Sequence, residues 1–570
     1  MTRHDETPAA TSKASMTGTA APGVFAAAGL IAVLTLVARV VGFGRWLVFS
    51  QSVGTTCVGS VYQAANQLPN VIFEVAAGGA LAAVVVPIIA GQLARPNSGA
   101  TQNSAEAAQT ASAMLTWTLA VLVPLSILMA ASARPLASFM VDDQRCSGST
   151  DLMASMIGVF SPQIALYGVG IVLAGVLQAH RRFLGVVLAP LLSSLVVMAA
   201  YLMFGALAQG KGNDLARLPS RASMALALGT TLGVAVLSLS LLIPVHRAGV
   251  RLRPTWTFPD GVARRASALA GAGLLALFAQ QVAVLVTLWV SQHRGGTGTL
   301  NVYVYAQAIY LLPYAVLAVP FAMSALPALA TGLDQAVLAT APVQASFARA
   351  QSTLASSARA IIVATSAGAA VLFAIASPTG AFFSALDAGR HNPHGIAALA
   401  ALPGALSAFA PGLVGFGMAA LLTRALYVQG RPAVAGGLVA LGWFIAAIVP
   451  LLVLQSDAGP RSTLIALGLA SSLGMTVAAL GLFVAVRRTW GVKAFRGFGR
   501  SAVVACGAGL FSAAVGRGLA AVLHPQGLVA GAVVAALVAV VVAMLFAGSI
   551  WIGDRGSARL ALAKLPGRAR

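Results

Sequence analysis

Windows of about 20 or more apolar residues recur along the whole chain, separated by short polar stretches, and that recurrence leaves few folds open. They fall at 23–50, 60–91, 108–132, 153–179, 184–207, 222–245, 266–291, 299–330, 360–382, 398–428, 433–454, 463–486, 501–522 and 527–551, fourteen in all. A helix of about 20 residues crosses the hydrocarbon core of a bilayer. Lipid offers no partner to a backbone N–H or C=O, so only helices and closed barrels span it, and barrel strands reach only about 11 residues. The expected class is therefore an all-α polytopic membrane protein with about 14 transmembrane helices. A length of 570 residues would suggest several soluble domains, but 59% hydrophobic and 8% charged residues, with a mean hydropathy of +0.89, overrule that.

The formal net charge of +22 lies between the apolar windows rather than on a charge-dense surface. It points to anionic headgroups and membrane topology, and away from nucleic acid. Segments on the side of the N-terminus include His246 to Pro254, Arg264 with Arg265, Arg487 to Arg500 and the tail from Arg555; together that side holds 23 Lys+Arg against 6 Asp+Glu. The opposite loops hold 8 against 6, so the positive-inside rule places both termini in the cytoplasm. Residues 1–22 read as a disordered tail before a retained first helix, because the apolar stretch that follows is too long for a signal-peptide core. The basic tail 553–570 reads as a cytoplasmic stop in contact with anionic lipid. Cys57, Cys146 and Cys506 lie far apart without CxxC spacing, which is read as three buried small residues rather than a disulfide framework or a zinc site.

Catalytic groupings are missing from the sequence. A membrane enzyme gathers acids, histidines or cysteines on one side of the bilayer, and none gathers here. His391 and His394, beside Asp387 and Arg390, are read as a solvated loop rather than a metal site. The glycines of "GVGIVLAG" (Gly168 to Gly175) lie within an apolar window and read as helix-packing contacts, not a dinucleotide loop. No GK[ST] phosphate loop occurs, which argues against a nucleotide-driven pump. The chain is read as a non-enzyme without cofactor or metal.

What remains at membrane depth is informative. Arg39 and Arg45 lie in the first window, in "ARVVGFGRWLVF", while the second carries Gln63, Asn66, Gln67, Asn70 and Glu74. Ionisable residues at such depth face a wet cavity or each other, so the first two helices are expected to line a cleft. The two arginines are about 120° apart around a straight helix, and Gly42 and Gly44 offer a hinge that would turn both into one space. Such a pair suits a diphosphate, gripped by charge-assisted bidentate contacts. The other reading pairs Arg39 with Glu74 and lets Arg45 snorkel beside Trp46. Pro69 in the second window, with Pro313 and Pro320 in the eighth, breaks the hydrogen-bond ladder as transporter helices do; plain packing kinks would look the same. Pro327 stands near the end of that window.

The strings "RVVGFGR" (Arg39 to Arg45), "LPNVIFEVAAGGALAAVVVPIIA" (Leu68 to Ala90), "GVLQAHRRFLGVVLAPLLSS" (Gly175 to Ser194), "LPYAVLAVPFAMSALPALA" (Leu312 to Ala330) and "RALYVQGRP" (Arg424 to Pro432), in this order, resemble the MurJ/MviN lipid II flippases, over about 24 to 550. The "PNVIFE…GGAL" form is similar to their actinobacterial branch. The resemblance implies the fold of the multidrug/oligosaccharidyl-lipid/polysaccharide (MOP) exporters: an N-lobe at 23–246, a basic cytoplasmic linker at 247–265, a C-lobe at 266–488 and a two-helix groove for a lipid tail at 489–552. It implies as cargo undecaprenyl-diphosphate carrying the disaccharide-pentapeptide of peptidoglycan, moved to the outer leaflet of a bacterial cytoplasmic membrane. Arg39 and Arg45 match the family's first-helix arginines around the diphosphate; Asn66, Asn70, Glu74 and Arg424 are the further cavity candidates. The chain departs from the family pattern at Ser60, where many members carry an acid, at Phe73 and Glu74, where they carry an arginine, and at Ala308. Arg424 or a different geometry would have to compensate.

Flipping needs no bond chemistry, and a doubly charged head leaving a negative interior gains about 5 kcal/mol at 100 mV. Glu74 is a candidate titrating group. Rival readings are a MOP-type exporter of another polyprenyl-linked saccharide or a small cation, and a non-transporting scaffold for cell-wall synthesis or division proteins. The only partners otherwise implied are membrane lipids.

Overall fold

The computed structural model describes residues 22–94, 100–259, 274–323, 329, 343–387 and 393–556, and these form helices with no strand among them. By length and hydropathy, eleven helical segments among the described residues are long and apolar enough to cross a membrane, and a bent pair makes a twelfth. The fourteen expected spans also need the first helix and the second, which are helical but outside that set.

The first helix, α1 (Pro22–Ser52), is unbroken, so Gly42 and Gly44 do not open it in this conformation. Beside each of them the space is open. The second span is α2 (Cys57–Phe73), a wide π-helical turn at Glu74–Gly78, and α3 (Gly79–Leu93). Thr56 caps α2 through a hydrogen bond from the Gly59 N–H, 3.1 Å. Pro69 cannot donate to the Ala65 carbonyl, and the ladder regains its pairing through the wide turn that begins five residues later. Gly78 leaves room there for the Glu74 carboxylate, which a side chain at that position would strike. Then follow α4 (Ala100–Ala131), α5 (Ala133–Met140), α6 (Ser149–Phe160), α7 (Gln163–Ala179), α8 (Phe183–Ala208), α9 (Ser220–Leu239) and α10 (Leu242–Arg247).

The second half repeats the device. Helix α11 (Leu274–Val290) ends in a π-helical turn, Ser291–Gly295, and α12 (Thr299–Pro313) passes at Pro313 into another at Tyr314–Ala318. The helix resumes through Pro320; Pro327 lies outside the described residues. Helix α13 (Val343–Ala374) starts well before the expected 360 and runs into α14 (Ala376–Leu386). The expected 398–428 is broken: α15 (Pro393–Ala400), α16 (Leu402–Phe409) and α17 (Gly412–Val428) include a 47° bend at the Ala410–Pro411 step. Finally come α18 (Pro432–Val453), α19 (Gly459–Trp490), α20 (Phe498–Leu523) and α21 (Leu528–Gly553).

Helices α1 to α9 pack chiefly among themselves, and so do α13 to α21. Helices α11 and α12 lie against α2, its wide turn and α3, and their packing joins the two groups along a seam. At the Cys57 end of the seam an aromatic core closes the gap: Phe49 stacks on Tyr62, Tyr305 meets Phe49 edge-on at 6.2 Å between centroids, and Tyr305 stacks on Phe383 at 5.1 Å. The reading of three unpaired cysteines is corrected here. Cys57, at the start of α2, and Cys146, in the loop after α5, form a disulfide, and only Cys506 is a free thiol. Eighty-nine residues separate the pair in sequence, and spacing says nothing about partners that the fold brings together.

Candidate functional site

A cavity of about 430 Å³ lies in the seam. Helix α2 contributes Gln67 and Asn70, and the wide turn that follows it begins with Glu74. From α11 come Gln280, Gln281 and Thr287, and from α12 Tyr303 and Gln307. The pattern follows from helical spacing: residues 67, 70 and 74 share one face of a helix. That the adjoining turn is π rather than α sets where the Glu74 carboxylate lies relative to the amides above it. Among the described residues, no arginine, lysine or histidine lines the cavity. Glu74 is half-buried and has no hydrogen bond or ion pair among the described residues.

The structure thus divides the expected set. Asn70 and Glu74 meet in the cavity, but Arg39, Arg45 and Arg424 do not line it. The Arg39–Glu74 pair is absent: the ion pairs among the described residues join Arg134 to Asp151 and Arg217 to Asp214. Arg39 is exposed. Arg45 is half-buried, lies over the Trp46 ring at 5.2 Å, and keeps a buried Nε without a partner. The Asn66 Oδ1 is also buried without a partner. Arg424 donates to its own helix at the Ala420 carbonyl, 2.6 Å, and to the Met323 sulfur, 3.4 Å. The histidines of the 391–394 loop lie outside the described side chains, and no cluster of three His, Cys, Asp or Glu occurs among the described residues.

Several cavity and seam residues escaped the sequence reading. Gln280 and Gln281 stand as a polar pair within an apolar window, a signal equal to that of Asn70. Ser60, noted only as a departure, accepts from the Gly298 N–H at 2.8 Å, and its carbonyl accepts from Gln292 at 3.3 Å. Asn301 donates to the Gly54 carbonyl at 2.7 Å, and the absence of a side chain on Gly59 lets them approach. Thr55 donates to Asp387 at 2.6 Å, and Arg145 donates to the His293 carbonyl at 2.6 Å. These bonds seal the Cys57 end of the seam. A second, apolar groove of about 740 Å³ runs between α13, α17, α19 and α20, lined by Phe373, Met418, Phe483, Phe498 and Cys506 among others.

An all-helical, multi-pass bundle in two packed groups, with a polar cavity at their seam and a long apolar groove beside it, is a membrane transporter by class. The family model "Lipid II flippase MurJ" matches residues 49–539, and the chain belongs to that family. Its fold matches that of a lipid II flippase MurJ in an inward closed conformation, at 16% identity and a TM-score of 0.68, over 92% of this chain and 99% of that one. It also matches an inward-facing MATE family multidrug resistance transporter of the MOP superfamily, at 15% identity and a TM-score of 0.58, over 80% and 94%. A Vibrio cholerae MATE transporter in its bent form matches at 12% identity and a TM-score of 0.51, over 81% and 95%.

Proposed function

We propose that this protein flips lipid II across the bacterial cytoplasmic membrane by alternating access, with both termini in the cytoplasm. The observation that carries the reading, beside family membership, is the juxtaposition of a polar chamber and an apolar groove in one bundle. An amphiphile with a sugar-peptide head and a long prenyl tail needs both, because its head cannot cross hydrocarbon and its tail cannot sit in water.

On this topology the sealed Cys57 end faces outward, and the head enters from the cytoplasmic side. Arg45 meets the diphosphate when the seam opens: its buried, unpartnered Nε and its aromatic neighbours hold a guanidinium that lacks an anion. Arg39 stands about 9 Å further along the same helix and receives the head first. Gly42 and Gly44, between them, are where α1 bends to bring the two together, and Pro69, Pro313 and Pro320 mark where α2 and α12 flex. The aliphatic and aromatic groove takes the tail, and Arg424 stands near the cytoplasmic end of α17. No covalent step is required, and the membrane potential supplies direction.

The test is flipping of lipid II in proteoliposomes. Arg45→Ala is expected to lower the rate at least tenfold, with Arg45→Lys intermediate because an ammonium cannot grip bidentately. Undiminished flipping by Arg45→Ala would remove the clamp. Failure of the wild-type chain to rescue cells depleted of their own lipid II flippase would remove the cargo assignment.

A further inference from the structure

Arg517 lies inside the α20 span but does not line the seam cavity. Helix α20 faces the apolar groove with Cys506, Gly509, Leu510, Ala513 and Ala514, and Arg517 continues that stripe one turn further on. It stands six residues, about 9 Å, before the end of the helix. Its guanidinium carbon lies over the ring of Phe373, a groove residue of α13, at 5.0 Å from the centroid. One nitrogen is engaged: Nη1 donates at 3.1 Å to the Phe373 carbonyl, in the last turn of α13, and at 3.1 Å to the Ser407 hydroxyl, just before the Ala410–Pro411 bend. Capping α13 in this way needs that nitrogen alone. Nε and Nη2 are neither bonded nor buried among the described residues.

We propose that the groove end at Arg517 docks the head of a polyprenyl diphosphate whose chain lies along the groove. A guanidinium at the edge of hydrocarbon is costly and calls for an anion. The Nε–Nη2 edge is the fork that two phosphate oxygens fit, while Nη1 holds the fork in place. The groove follows α20 for about 24 Å, from Phe498 to Ala514, between walls that are chiefly aliphatic and aromatic. One groove under one two-pronged cation matches a lipid with a single tail and a diphosphate. A glycerophospholipid brings a second chain with no groove of its own, and a free diphosphate ion leaves the groove empty.

The place of this site in transport rests on the flippase reading, in which the Arg517 end of the groove opens to the outer leaflet. Arg45 takes the diphosphate in the seam, and Arg517 takes it once the head has crossed. Release from the seam is then a transfer between two guanidinium groups rather than an escape into bulk lipid, and the tail keeps the same groove at both stages.

A prenyl diphosphate with a diazirine on the isoprene unit next to its head, photolysed with the full-length protein in nanodiscs of zwitterionic lipid, reports where the head lies. Saturable adducts are expected on the segments around Phe373 and Ala513, at least fivefold weaker in Arg517→Gln and persisting in Arg45→Ala. The matching prenyl alcohol, with the tail but no charge, should label wild type and Arg517→Gln alike. Unlabelled prenyl diphosphate should displace the probe at concentrations where phosphatidylglycerol and inorganic diphosphate do not. Thermal midpoints establish that the variants fold; if Arg517→Gln does not, Arg517→Lys, which keeps the bond to the Phe373 carbonyl but loses the fork, carries the comparison with a several-fold loss expected. Adducts confined to α1 around Arg45, labelling indifferent to the Arg517 variants, or displacement by phosphatidylglycerol or inorganic diphosphate as effective as by the prenyl lipid overturns the proposal. Flipping of lipid II in proteoliposomes separates the two ideas: adducts at the Arg517 end in a protein that flips nothing leave this site standing and remove the flippase reading, and flipping without such adducts does the reverse.

Discussion

Reduction of the Cys57–Cys146 bond is the perturbation whose size follows most directly from the structure. The pair closes a loop of 89 residues that includes α2, α3, α4 and α5. Chain-entropy reasoning gives such a cross-link about 4.6 kcal/mol at 25 °C. In this protein that figure is a ceiling, because helices already inserted in a membrane restrict the reduced chain and part of the entropy is lost before the bond forms. The local consequence is as important. The loop carrying Cys146 also carries Arg145, which donates to the His293 carbonyl across the seam, and Cys146 Sγ lies 3.5 Å from Thr297 Oγ1. Without the bond, that loop loses its anchor to α2 and the seal loosens. The assay is thermal unfolding of purified protein with and without reductant, beside a Cys57→Ser/Cys146→Ser double variant, with thiols counted by maleimide labelling. One reactive thiol, Cys506, is expected before reduction and three after it. Reduced wild type and the double variant should melt together, several degrees below the oxidised protein. Three thiols labelled without reductant, or coincident melting of all three samples, would refute the reasoning.

Asp143 accepts from the Thr150 N–H at 2.8 Å and from the Ser149 hydroxyl at 2.7 Å, chiefly the former holding its carboxyl below the usual carboxylate range. Its contribution is complete above the unfolded value and vanishes as pH falls through the lower folded one, so Asp143→Ala should cost up to about 1 kcal/mol near neutrality, less as the site is exposed, and nothing in strong acid. Thermal midpoints against pH, compared between the two proteins, would show a gap that closes below about pH 4. Asn301→Ala leaves the Gly54 carbonyl unpaired at the sealed end, a loss of about 1 to 3 kcal/mol, and should raise labelling of a cysteine introduced beside it; unchanged labelling would mean the seal does not depend on that bond. Gly509→Trp fills the apolar groove, and flipping of a long-tailed cargo should fall while a short-tailed analogue is spared; equal effects on both would place the tail elsewhere.

The helical class was legible because lipid permits no other arrangement of so many long apolar windows. Half of the cavity was legible too, since Asn70 and Glu74 are costly at depth and call for a reason. What the sequence could not show was how the two halves meet. The partners of Ser60, Asn301 and Gly54 are set by a seam between segments more than 200 residues apart, and no local spacing encodes that. The disulfide was missed for the same reason. Conversely, Gly42 and Gly44 permit a break in α1 that this conformation does not use, because permissive residues state what a helix tolerates, not what its neighbours impose.

The wide turns at Glu74–Gly78 and Tyr314–Ala318 each hold one residue more than the ladder around them needs. Removing a single residue inside either turn, Ala76 for example, would restore ordinary winding locally and leave the faces above and below aligned with their neighbours. The same deletion a few positions away would swivel the rest of the span by about 100° and scramble its packing. These two places are therefore where the chain tolerates a change of length, and where slack can be passed along a helix without unwinding it.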